Sequence, residues 1–567
     1  MHIAPQLIDN LQMKERMRLA LLMSAAALVY GNTLHNGFAQ DDEIYILQNH
    51  AVTGHALREL FAPNYFSHVF RPLSFVTFSC NWLVAGARPF GYHLVNLLLH
   101  AVVTLLVYLL LQYLLESSPQ ASTLAFTAAL LFAVHPIHTE AVAGIVGRSE
   151  LLAAGFLLTA WLLHLRDRHL LTLLCFALAL LAKESAVVFL PLVLICDYAR
   201  GRLKPRLLYV SIASMTTLYL ATFWRLQGSS FGTVIPFLDN PLAGLPAGLR
   251  ILNALRVGWK YLGLHVYPAA LSSDYSYAAI TLYSNGRTLW AVVATAFVLA
   301  LWIWALYTRR AAWAVAGAIY LVGFAVTANL LFPIGTIMGE RLAYLPSIGF
   351  FLLVALIWTP LEKCRPALAW AVLIIALAAL SVRTVARNRD WRDDFTLCSA
   401  ALRVVPDSAK MHNGIAVQYA GRGELDTARL EFQTALGIYP NYPEALESFG
   451  LLESSMGHDQ ESRQLLERAL SLAQKGSVKY NFAVVNLAAQ YMKLGQNDNA
   501  LKLLDQDIID SPSYARAWAN RAVIRYKYGQ LSSARSDAQT ALRLDPANSQ
   551  AQAVLSLLNS SAPLTSR

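Results

Sequence analysis

Long apolar stretches fill residues 19–383 of this 567-residue sequence, and they constrain its fold more than any other feature. Hydrophobic residues make up 56% of the chain and charged residues only 14%, and the mean hydropathy is +0.43. A soluble chain has about a quarter charged residues. We therefore expect an all-α bundle of membrane helices, followed by a soluble domain formed by the residues after the apolar part.

About eleven apolar segments are predicted to span the membrane. They lie at about residues 19–34, 94–115, 122–134, 142–165, 170–182, 186–198, 207–226, 288–307, 314–332, 342–359 and 367–383. Lys14, Arg16 and Arg18 precede the first segment, which predicts a cytoplasmic N-terminus. No small-residue cleavage site follows that segment, so we interpret it as an anchor and not as a removed signal peptide.

Basic residues cluster in alternate turns of this predicted bundle, at residues 166–169, 199–206, 308–310 and 362–365, and only the turn near Glu116 lacks them. This pattern predicts that these turns face the cytoplasm and that the C-terminus lies outside. Because much of the net charge of +10 lies in these short clusters, we do not expect nucleic-acid binding. The five cysteines contain no CxxC pair, so neither a disulfide framework nor a zinc site is indicated.

Two predicted outside segments, residues 35–93 and 227–287, are long. Each contains an amphipathic piece, "LRELFAPNYF" (57–66) in the first segment and "LRILNALRVGWKYLG" (249–263) in the second. We expect both pieces to lie in the membrane surface.

The last part of the chain repeats with a period typical of tetratricopeptide units. Gly423 and Gly457 are 34 residues apart, as are Gly495 and Gly529. Small residues follow these glycines, prolines close three of the units, and a tryptophan stands early in the last: Ala428, Ser462, Ala500 and Ala534; Pro440, Pro512 and Pro546; Trp518. The pattern predicts about four helix pairs stacked into a solenoid, on the side of the membrane away from the cytoplasm.

Ionisable residues at the ends of the predicted spans gather on the outer side. They form four groups: Asp41–Glu43, His135–Glu140, Lys183 with Glu184, and Gly339–Arg341. Ionisable groups at such places are costly, so they mark either a functional site or buried ion pairs. Four separate groups on one side of a bundle favour a site.

Structural interpretations remain open for single members of these groups. The first acids can be solvated residues that cap a surface helix, and Lys183 with Glu184 can be a structural ion pair. His135 and His138 with one glutamate are a weak set of metal ligands, so no metal is predicted.

Arg148 is harder to explain by structure alone. It lies two helical turns from Glu140 and is predicted to point into the outer half of the bundle, whereas Glu150 faces elsewhere. A phosphate group would satisfy this arginine well.

Seven stretches of the sequence resemble, in order, the transmembrane and tetratricopeptide-repeat protein O-mannosyltransferase family. They are "GFAQDDEIYIL", "FRPLSFVTF", "GYHLVNLLLHA", "FAVHPIHTEAVAGIVGRSELLA", "LLAKES", "LFPIGTIMGERLAYLPSIGF" and "RNRDWRDDFTL". The resemblance extends from about residue 32 into the repeats, and it is more specific for the family than for the sugar or the acceptor. It implies a GT-C type transmembrane glycosyltransferase domain over residues 1–395 and an extracytoplasmic repeat domain over residues 396–567.

The resemblance also implies roles for the outer charged residues. In such enzymes an acid at the start of the first outer loop is the general base for the acceptor hydroxyl, and the Asp-Asp pair of the family falls on Asp41 and Asp42. Because Glu43 follows, an Asp-Glu pair at 42–43 is also possible; we favour Asp41 and then Asp42. The remaining candidates would meet the donor phosphate or sugar, or hold these cations in place: Arg341 and Arg148 first, then Lys183, with Arg71, Glu140 and Glu184, and His93 and His135 as weaker candidates.

The implied activity is the transfer of a sugar, mannose or another hexose, from a polyprenyl-phosphate donor to a protein Ser or Thr hydroxyl, with inversion, on the extracytoplasmic side. The expected partners are that lipid and an acceptor protein docked by the repeats, and neither a tightly bound cofactor nor a divalent metal is expected. We expect a bacterial protein of the inner membrane with periplasmic repeats. The alternative from another class is a non-catalytic, membrane-anchored repeat scaffold for envelope assembly; a lipid-linked glycan ligase or flippase would lack the Asp-Asp start.

Overall fold

The computed structural model describes residues 3–54, 57–61, 70–227, 235–283 and 288–560, and every regular element within these ranges is helical. The predicted all-α class is therefore confirmed. The chain divides into two compact units, Met1–Ser408 and Ala409–Arg567, and the predicted domain boundary after residue 395 stays a prediction.

The first unit contains the apolar helices and the shorter helices that connect them. Its α-helices are Ile3–Tyr30, His50–Thr53, Leu57–Leu60, Pro72–Ala85, Pro89–Leu114, Ala121–Val134, Thr139–Ala143, Arg148–Leu165, His169–Ala182, Phe189–Arg200, Arg206–Gln227, Ala247–Val266, Leu289–Tyr307, Ala311–Phe324, Ser347–Cys364, Pro366–Asp390 and Asp394–Val404.

Seven helical segments in the described residues are long and apolar enough to cross a membrane: Met13–His35, Pro89–Leu114, Ile145–Leu165, Arg206–Leu226, Leu289–Tyr307, Ser347–Cys364 and Pro366–Asp390. The pair Ala121–Val134 and Pro136–Ala143, bent by 54°, is a further candidate span. Shorter apolar helices accompany them: Pro72–Ala85, His169–Ala182 and Ala311–Phe324. The first unit is thus a multi-pass membrane bundle, as predicted, and the number of about eleven spans stays a prediction.

Local sequence explains where several of these helices begin or bend. Pro72, Pro89 and Pro366 each occupy the first turn of a helix, where a backbone N–H has no helical partner in any case. Pro136 follows Ala121–Val134, and because it lacks an N–H the apolar run bends there.

Small residues allow neighbouring helices of the bundle to approach closely. Gly349, in the helix Ser347–Cys364, is an example: a Cβ atom there would lie 2.4 Å from the carbonyl oxygen of Ala316. No side chain fits in that space, so glycine is required for the observed contact with Ala311–Phe324.

Contacts among the predicted cytoplasmic turns place several of them on one face of the first unit. Arg200 Nη2 lies 2.8 Å from Glu116 Oε1, and Lys204 Nζ lies 2.6 Å from Asp167 Oδ1. They bring the turn near Glu116, which lacks basic residues of its own, together with the basic turn at residues 199–206, and the alternation of the spans stays a prediction. The assignment of this face to the cytoplasm stays a prediction.

The predicted amphipathic piece at 249–263 forms part of the helix Ala247–Val266, which buries Ala254, Val257 and Tyr261. In the other piece Leu57–Leu60 is helical, and residues 62–66 lie outside the described residues. That these pieces lie in the membrane surface stays a prediction.

The second unit consists of helix pairs and one last helix: Ala409–Gly421 with Leu425–Ile438, Pro443–Ser455 with Asp459–Leu472, Val478–Lys493 with Asn497–Asp510, Ala515–Lys527 with Leu531–Leu544, and Ser549–Ser560. The four periodic glycines follow the first helix of each pair with φ between 71° and 83°. Because a side chain is strained in this left-handed conformation, glycine recurs at the same place in each repeat. The four small residues that follow them are fully buried between helices. The predicted repeats are therefore confirmed.

Candidate functional site

The predicted outer charged residues come from separate breaks between the helices of the first unit. Their positions are the loop after Gly31–His35 for Asp41, the start of Pro72–Ala85 for Arg71, the short helix Thr139–Ala143 for Glu140, the break before Phe189–Arg200 for Lys183 and Glu184, and the 3₁₀ turn Glu340–Ala343 for Arg341. A helix break leaves backbone N–H and C=O groups without helical partners, so polar side chains and ligands can bind there even in an apolar bundle.

Arg341 lies between two of the predicted acids. Its Nη1 is 3.4 Å from Asp41 Oδ2, and its Nε is 3.3 Å from Glu140 Oε1. Its backbone N–H also donates to Glu140 Oε2 at 2.9 Å. Although burial favours the neutral form, the negative charges of Glu140 and Asp41 outweigh burial and raise the pKa of Arg341. The guanidinium therefore stays charged.

Exposure separates the members of this group. The side chains of Asp41 and Arg341 are 47% and 36% exposed, whereas the Glu140 side chain is only 8% exposed. A ligand therefore has access to Asp41 and Arg341, whereas the buried Glu140 holds Arg341 in place.

Arg71 and Glu184 form a bidentate pair next to this group. Arg71 Nε and Nη2 donate to the two Glu184 carboxylate oxygens at 2.9 and 2.6 Å. Burial would raise the pKa of Glu184, but the charge and hydrogen bonds of Arg71 lower it to about 2. Such forked pairs fix both position and orientation. The pairing is the one expected if Glu184 holds Arg71 in place.

Lys183 pairs with Glu150 and not with its neighbour Glu184, so the structural pair considered for residues 183 and 184 is not formed. Burial lowers the pKa of Lys183, Glu150 opposes this effect, and the positive charges of Arg71 and Arg341 lower the pKa further. These cations are thus close enough to influence one another. Glu150 faces away from Arg148, as predicted, because it faces Lys183 instead.

Asp42 occupies an environment very different from that of Asp41. Its side chain is buried, and its carboxylate accepts hydrogen bonds from the backbone N–H groups of Ala39 (3.1 Å), Ile145 (3.4 Å) and Val146 (2.9 Å). Burial raises the pKa of Asp42 to about 7, against the effect of these donors. Asp42 therefore ties the first outer loop to the start of the span Ile145–Leu165 and is not positioned to reach a substrate.

Arg148 is fully buried, whereas the sequence interpretation expected it to bind a phosphate. Its Nε, Nη1 and Nη2 donate to Asn96 Oδ1 (2.9 Å), Asn81 Oδ1 (2.6 Å) and the Tyr92 carbonyl (3.0 Å). Its guanidinium also lies 4.7 Å from the centre of the Phe78 ring. The helical spacing predicts that it points into the bundle, but there each of its three guanidinium nitrogens bonds a neutral side chain or a carbonyl, and burial separates it from a ligand.

The two predicted histidines are also buried. His93 Nε2 contacts the Gly37 carbonyl oxygen at 3.1 Å, so it supports the loop that carries Asp41. His135 uses both ring nitrogens within the protein, one with the His265 carbonyl and one with the Ile137 N–H. His135 is thus placed for a structural role, which differs from its predicted contact with the donor.

Glu340 belongs to the predicted outer group Gly339–Arg341, but the sequence interpretation gave it no role in the site. Its Oε1 accepts hydrogen bonds from the Ser272 N–H (2.6 Å) and the Tyr275 hydroxyl (2.7 Å), and Arg387 Nη2 lies 3.7 Å from its Oε2. Burial raises the pKa of Glu340 to about 7. These contacts anchor the 3₁₀ turn that presents Arg341. Its place inside the "GER" sequence was the available signal.

A metal-ligand group in the described residues is formed by Glu453, His458 and Glu461, in the second unit. Arg429 already pairs with both of these glutamates, at 2.7 and 3.0 Å. The group is therefore balanced by a protein cation and does not point to a metal.

The arrangement in the first unit combines a reachable carboxylate with a reachable guanidinium 3.4 Å away. A carboxylate of this kind can accept a proton from a hydroxyl, and a guanidinium can bind phosphate oxygens. Paired acids hold the cations, so the charges keep their positions without a ligand.

The chain is similar to known proteins both in its repeats and over most of its length. The tetratricopeptide repeat family matches residues 396–443 and 485–551. Protein O-mannosyl-transferase TMTC3 of Mus musculus is 28% identical to this chain, with 93% of this chain and 64% of the relative covered. The Homo sapiens TMTC3 is 28% identical, with 95% and 65% covered, and Drosophila melanogaster Tmtc1 is 31% identical, with 78% and 64% covered.

The chain spans slightly less than two thirds of the length of these curated relatives. All three come from animals, and the expected bacterial origin stays a prediction. Among solved structures, MamA is 18% identical with a TM-score of 0.24, covering 28% of this chain and 89% of that chain, a likeness too distant to carry an argument.

Proposed function

As a homologue of the protein O-mannosyl-transferases over most of its length, this chain is, we propose, an integral membrane glycosyltransferase that transfers mannose to Ser or Thr hydroxyls of proteins. The donor in this proposal is mannose carried on polyprenyl phosphate, and the reaction takes place on the extracytoplasmic side. The observation that supports it best is the exposed pair of Asp41 and Arg341, backed by the buried Glu140.

Asp41 is the general base in this proposal. It accepts the proton of the acceptor hydroxyl, whose oxygen forms a bond to the anomeric carbon of the sugar. The bond between that carbon and the phosphate oxygen breaks, and its electron pair leaves with the lipid phosphate, so the configuration inverts. Asp41 is favoured over Asp42 because its side chain is exposed, whereas Asp42 is buried on three backbone donors.

Arg341 binds the leaving phosphate in this proposal. Two of its guanidinium nitrogens contact Glu140 and Asp41, and within the described residues Nη2 has no hydrogen-bond partner. Negative charge grows on the phosphate as the bond breaks, and a cation that is already in place stabilises it without reorganising. Arg71 and Lys183, held by Glu184 and Glu150, add positive charge nearby.

The test is transfer of mannose from polyprenyl-phosphate mannose to a Ser/Thr peptide by the purified full chain in detergent. Asp41→Asn should lower the transfer rate by about 10²–10⁴-fold, because a general base contributes about that much. Glu43→Gln is the matched control: Glu43 is exposed and bonded to Gln48, so its loss should leave the rate within a few-fold. Full activity in Asp41→Asn would assign the base elsewhere, and no transfer by the unmodified protein would favour the scaffold.

A further inference from the structure

The loop that carries Asp41 is held by a segment far away in sequence, residues 388–394, which we call the junction segment. The Gly37 N–H donates to the Arg392 carbonyl at 2.8 Å, and the Asn36 side chain donates to the Asn388 carbonyl at 2.9 Å. The loop is therefore bound to the junction segment by hydrogen bonds from both its main chain and a side chain, and not only by apolar packing.

Gln40, the residue before Asp41, makes the closest such contact. Its backbone N–H donates to Asp394 Oδ1 at 2.7 Å. Gln40 also has a φ of 53°, in the left-handed region that residues other than glycine rarely adopt. A backbone conformation of this kind persists only where the surroundings enforce it, and here the Asp394 carboxylate binds the backbone N–H of Gln40.

On the other side of Asp41, the buried Asp42 fixes the chain by accepting the N–H groups of Ala39, Ile145 and Val146. The main chain is thus fixed immediately before and after Asp41. The Asp41 side chain is 47% exposed even though its backbone is held on both sides.

We propose that Asp394 is a positioning residue for the candidate base. By accepting the backbone N–H of Gln40, it fixes the position of the main chain from which the Asp41 side chain reaches the acceptor hydroxyl. This inference rests on the proposed function, because it assigns a role in that reaction to a residue that touches no substrate. Proton transfer is sensitive to geometry, and a displacement of about 1 Å in such a group can cost about 10²-fold in rate.

A neighbouring acid separates this role from simple helix stability. Asp393 is the cap of the helix Asp394–Val404: its Oδ1 accepts from the Thr396 N–H at 2.8 Å, and the Thr396 hydroxyl completes the capping box. Asp394, one position later, bonds Gln40 instead. The two adjacent aspartates therefore have different structural roles. A substitution of Asp393 is the control for a substitution of Asp394.

Trp391 supplies the apolar part of the same contact. It is buried in a cluster with Ala39, Ala143 and Leu397, and a Cβ on Gly144 would come within 3.0 Å of its ring. Because this packing persists when a single carboxylate is removed, Asp394→Ala should displace the loop locally without unfolding the protein.

The experiment compares Asp394→Ala, Asp394→Asn and Asp393→Ala in the full-length protein. Asp394→Ala should lower kcat about 10-fold or more with the KM for the donor unchanged, since Glu140 still holds Arg341 by its side chain and its backbone N–H. Asp394→Asn should restore most of kcat, because its amide oxygen can still accept the Gln40 N–H. Asp393→Ala should keep kcat within a few-fold, because it removes the helix cap and an exposed ion pair with Arg392 but leaves the contact of Asp394 with Gln40 in place.

Hydrogen–deuterium exchange of peptides spanning residues 36–44 is measured on the same variants. Faster exchange in Asp394→Ala, but not in Asp394→Asn, is the expected result, and it holds whether or not the protein transfers mannose. Equal losses of kcat in Asp393→Ala and Asp394→Ala, or unchanged exchange and kcat in Asp394→Ala, would overturn the positioning role. Absence of transfer by the unmodified protein would instead count against the proposed function, and the exchange data would still decide the contact.

Discussion

Arg148 and Arg341 carry the same side chain but occupy opposite environments. Arg148 is fully buried and donates to amide and carbonyl oxygens, whereas Arg341 is 36% exposed and contacts two carboxylates. Burying a guanidinium is tolerable only when it is hydrogen-bonded, and each guanidinium nitrogen of Arg148 has an acceptor. The buried arginine thus organises the bundle, and the exposed one remains available to a ligand.

Asp507, in the second unit, is a buried acid whose carboxylate has no hydrogen-bond partner within the described residues. It lies in the helix Asn497–Asp510 with 1% of its surface exposed. Burial, together with the charge of Asp510, raises the pKa of Asp507 to about 7.

The raised pKa of Asp507 predicts a pH-dependent stability of the repeats. Its pKa in the unfolded chain is about 4, so its contribution to stability is fully present below about pH 4 and is lost as the pH rises through about 7. Asp507→Asn is neutral at every pH and should remove this dependence and stabilise the repeats at pH 8. Exchange protection of peptides from residues 497–510, corrected for intrinsic rates, measures the effect.

The exposed Asp426 provides the control for this experiment. Asp426→Asn should leave the pH dependence of protection unchanged, because the Asp426 side chain is exposed to water in the folded as well as in the unfolded chain. If Asp507→Asn and the unmodified protein lose protection in parallel between pH 5 and 8, another group is responsible.

At the scale of helices, the fit between Ser347–Cys364 and Ala311–Phe324 depends on Gly349. A Cβ there would lie 2.4 Å from the Ala316 oxygen and 2.6 Å from the Tyr320 nitrogen, both backbone atoms that cannot rotate away. Gly349→Ala should therefore force the helices apart and destabilise the bundle by about 1–3 kcal/mol. A lower midpoint of thermal unfolding in detergent checks this.

Gly258 is the matched position, since a Cβ there would meet nothing within 4 Å in the helix Ala247–Val266. Gly258→Ala should leave the midpoint unchanged or raise it slightly, because alanine favours a helix by about 1 kcal/mol over glycine. Equal midpoints for Gly349→Ala and the unmodified protein would mean that the helix contact is looser than described.

Helices and repeats were predictable from sequence because their signals are local. Apolar length predicts a span, and the glycines at 34-residue spacing predict the turns in which Gly423 and Gly529 adopt a positive φ. Partner choice was less predictable. That Lys183 pairs with Glu150 depends on how helices pack, and no spacing within one helix encodes it. Asp394 was missed for the same reason, since it contacts Gln40 across more than 350 residues of chain.

At the scale of the whole molecule, one chain carries both a membrane bundle and a repeat solenoid. The division between the two units falls after Ser408, so the helix Asp394–Val404 stays with the bundle. A solenoid offers an extended groove suited to a polypeptide segment. We expect the repeats to bind the acceptor protein and thereby raise its effective concentration for the tethered bundle, by up to about the millimolar range for short tethers.

Truncation after Ser408 tests this expectation, because it removes the second unit and keeps the contact of Asp394 with Gln40. The truncated protein should still transfer mannose to a short Ser/Thr peptide at high concentration. Its transfer to an intact protein acceptor, one that the full chain modifies, should fall by at least 10-fold, because the docking contribution is lost while the chemistry is retained. Equal loss of both activities would mean that the repeats serve to stabilise the bundle. Undiminished transfer to the intact protein would show that the acceptor is recognised by the membrane unit alone.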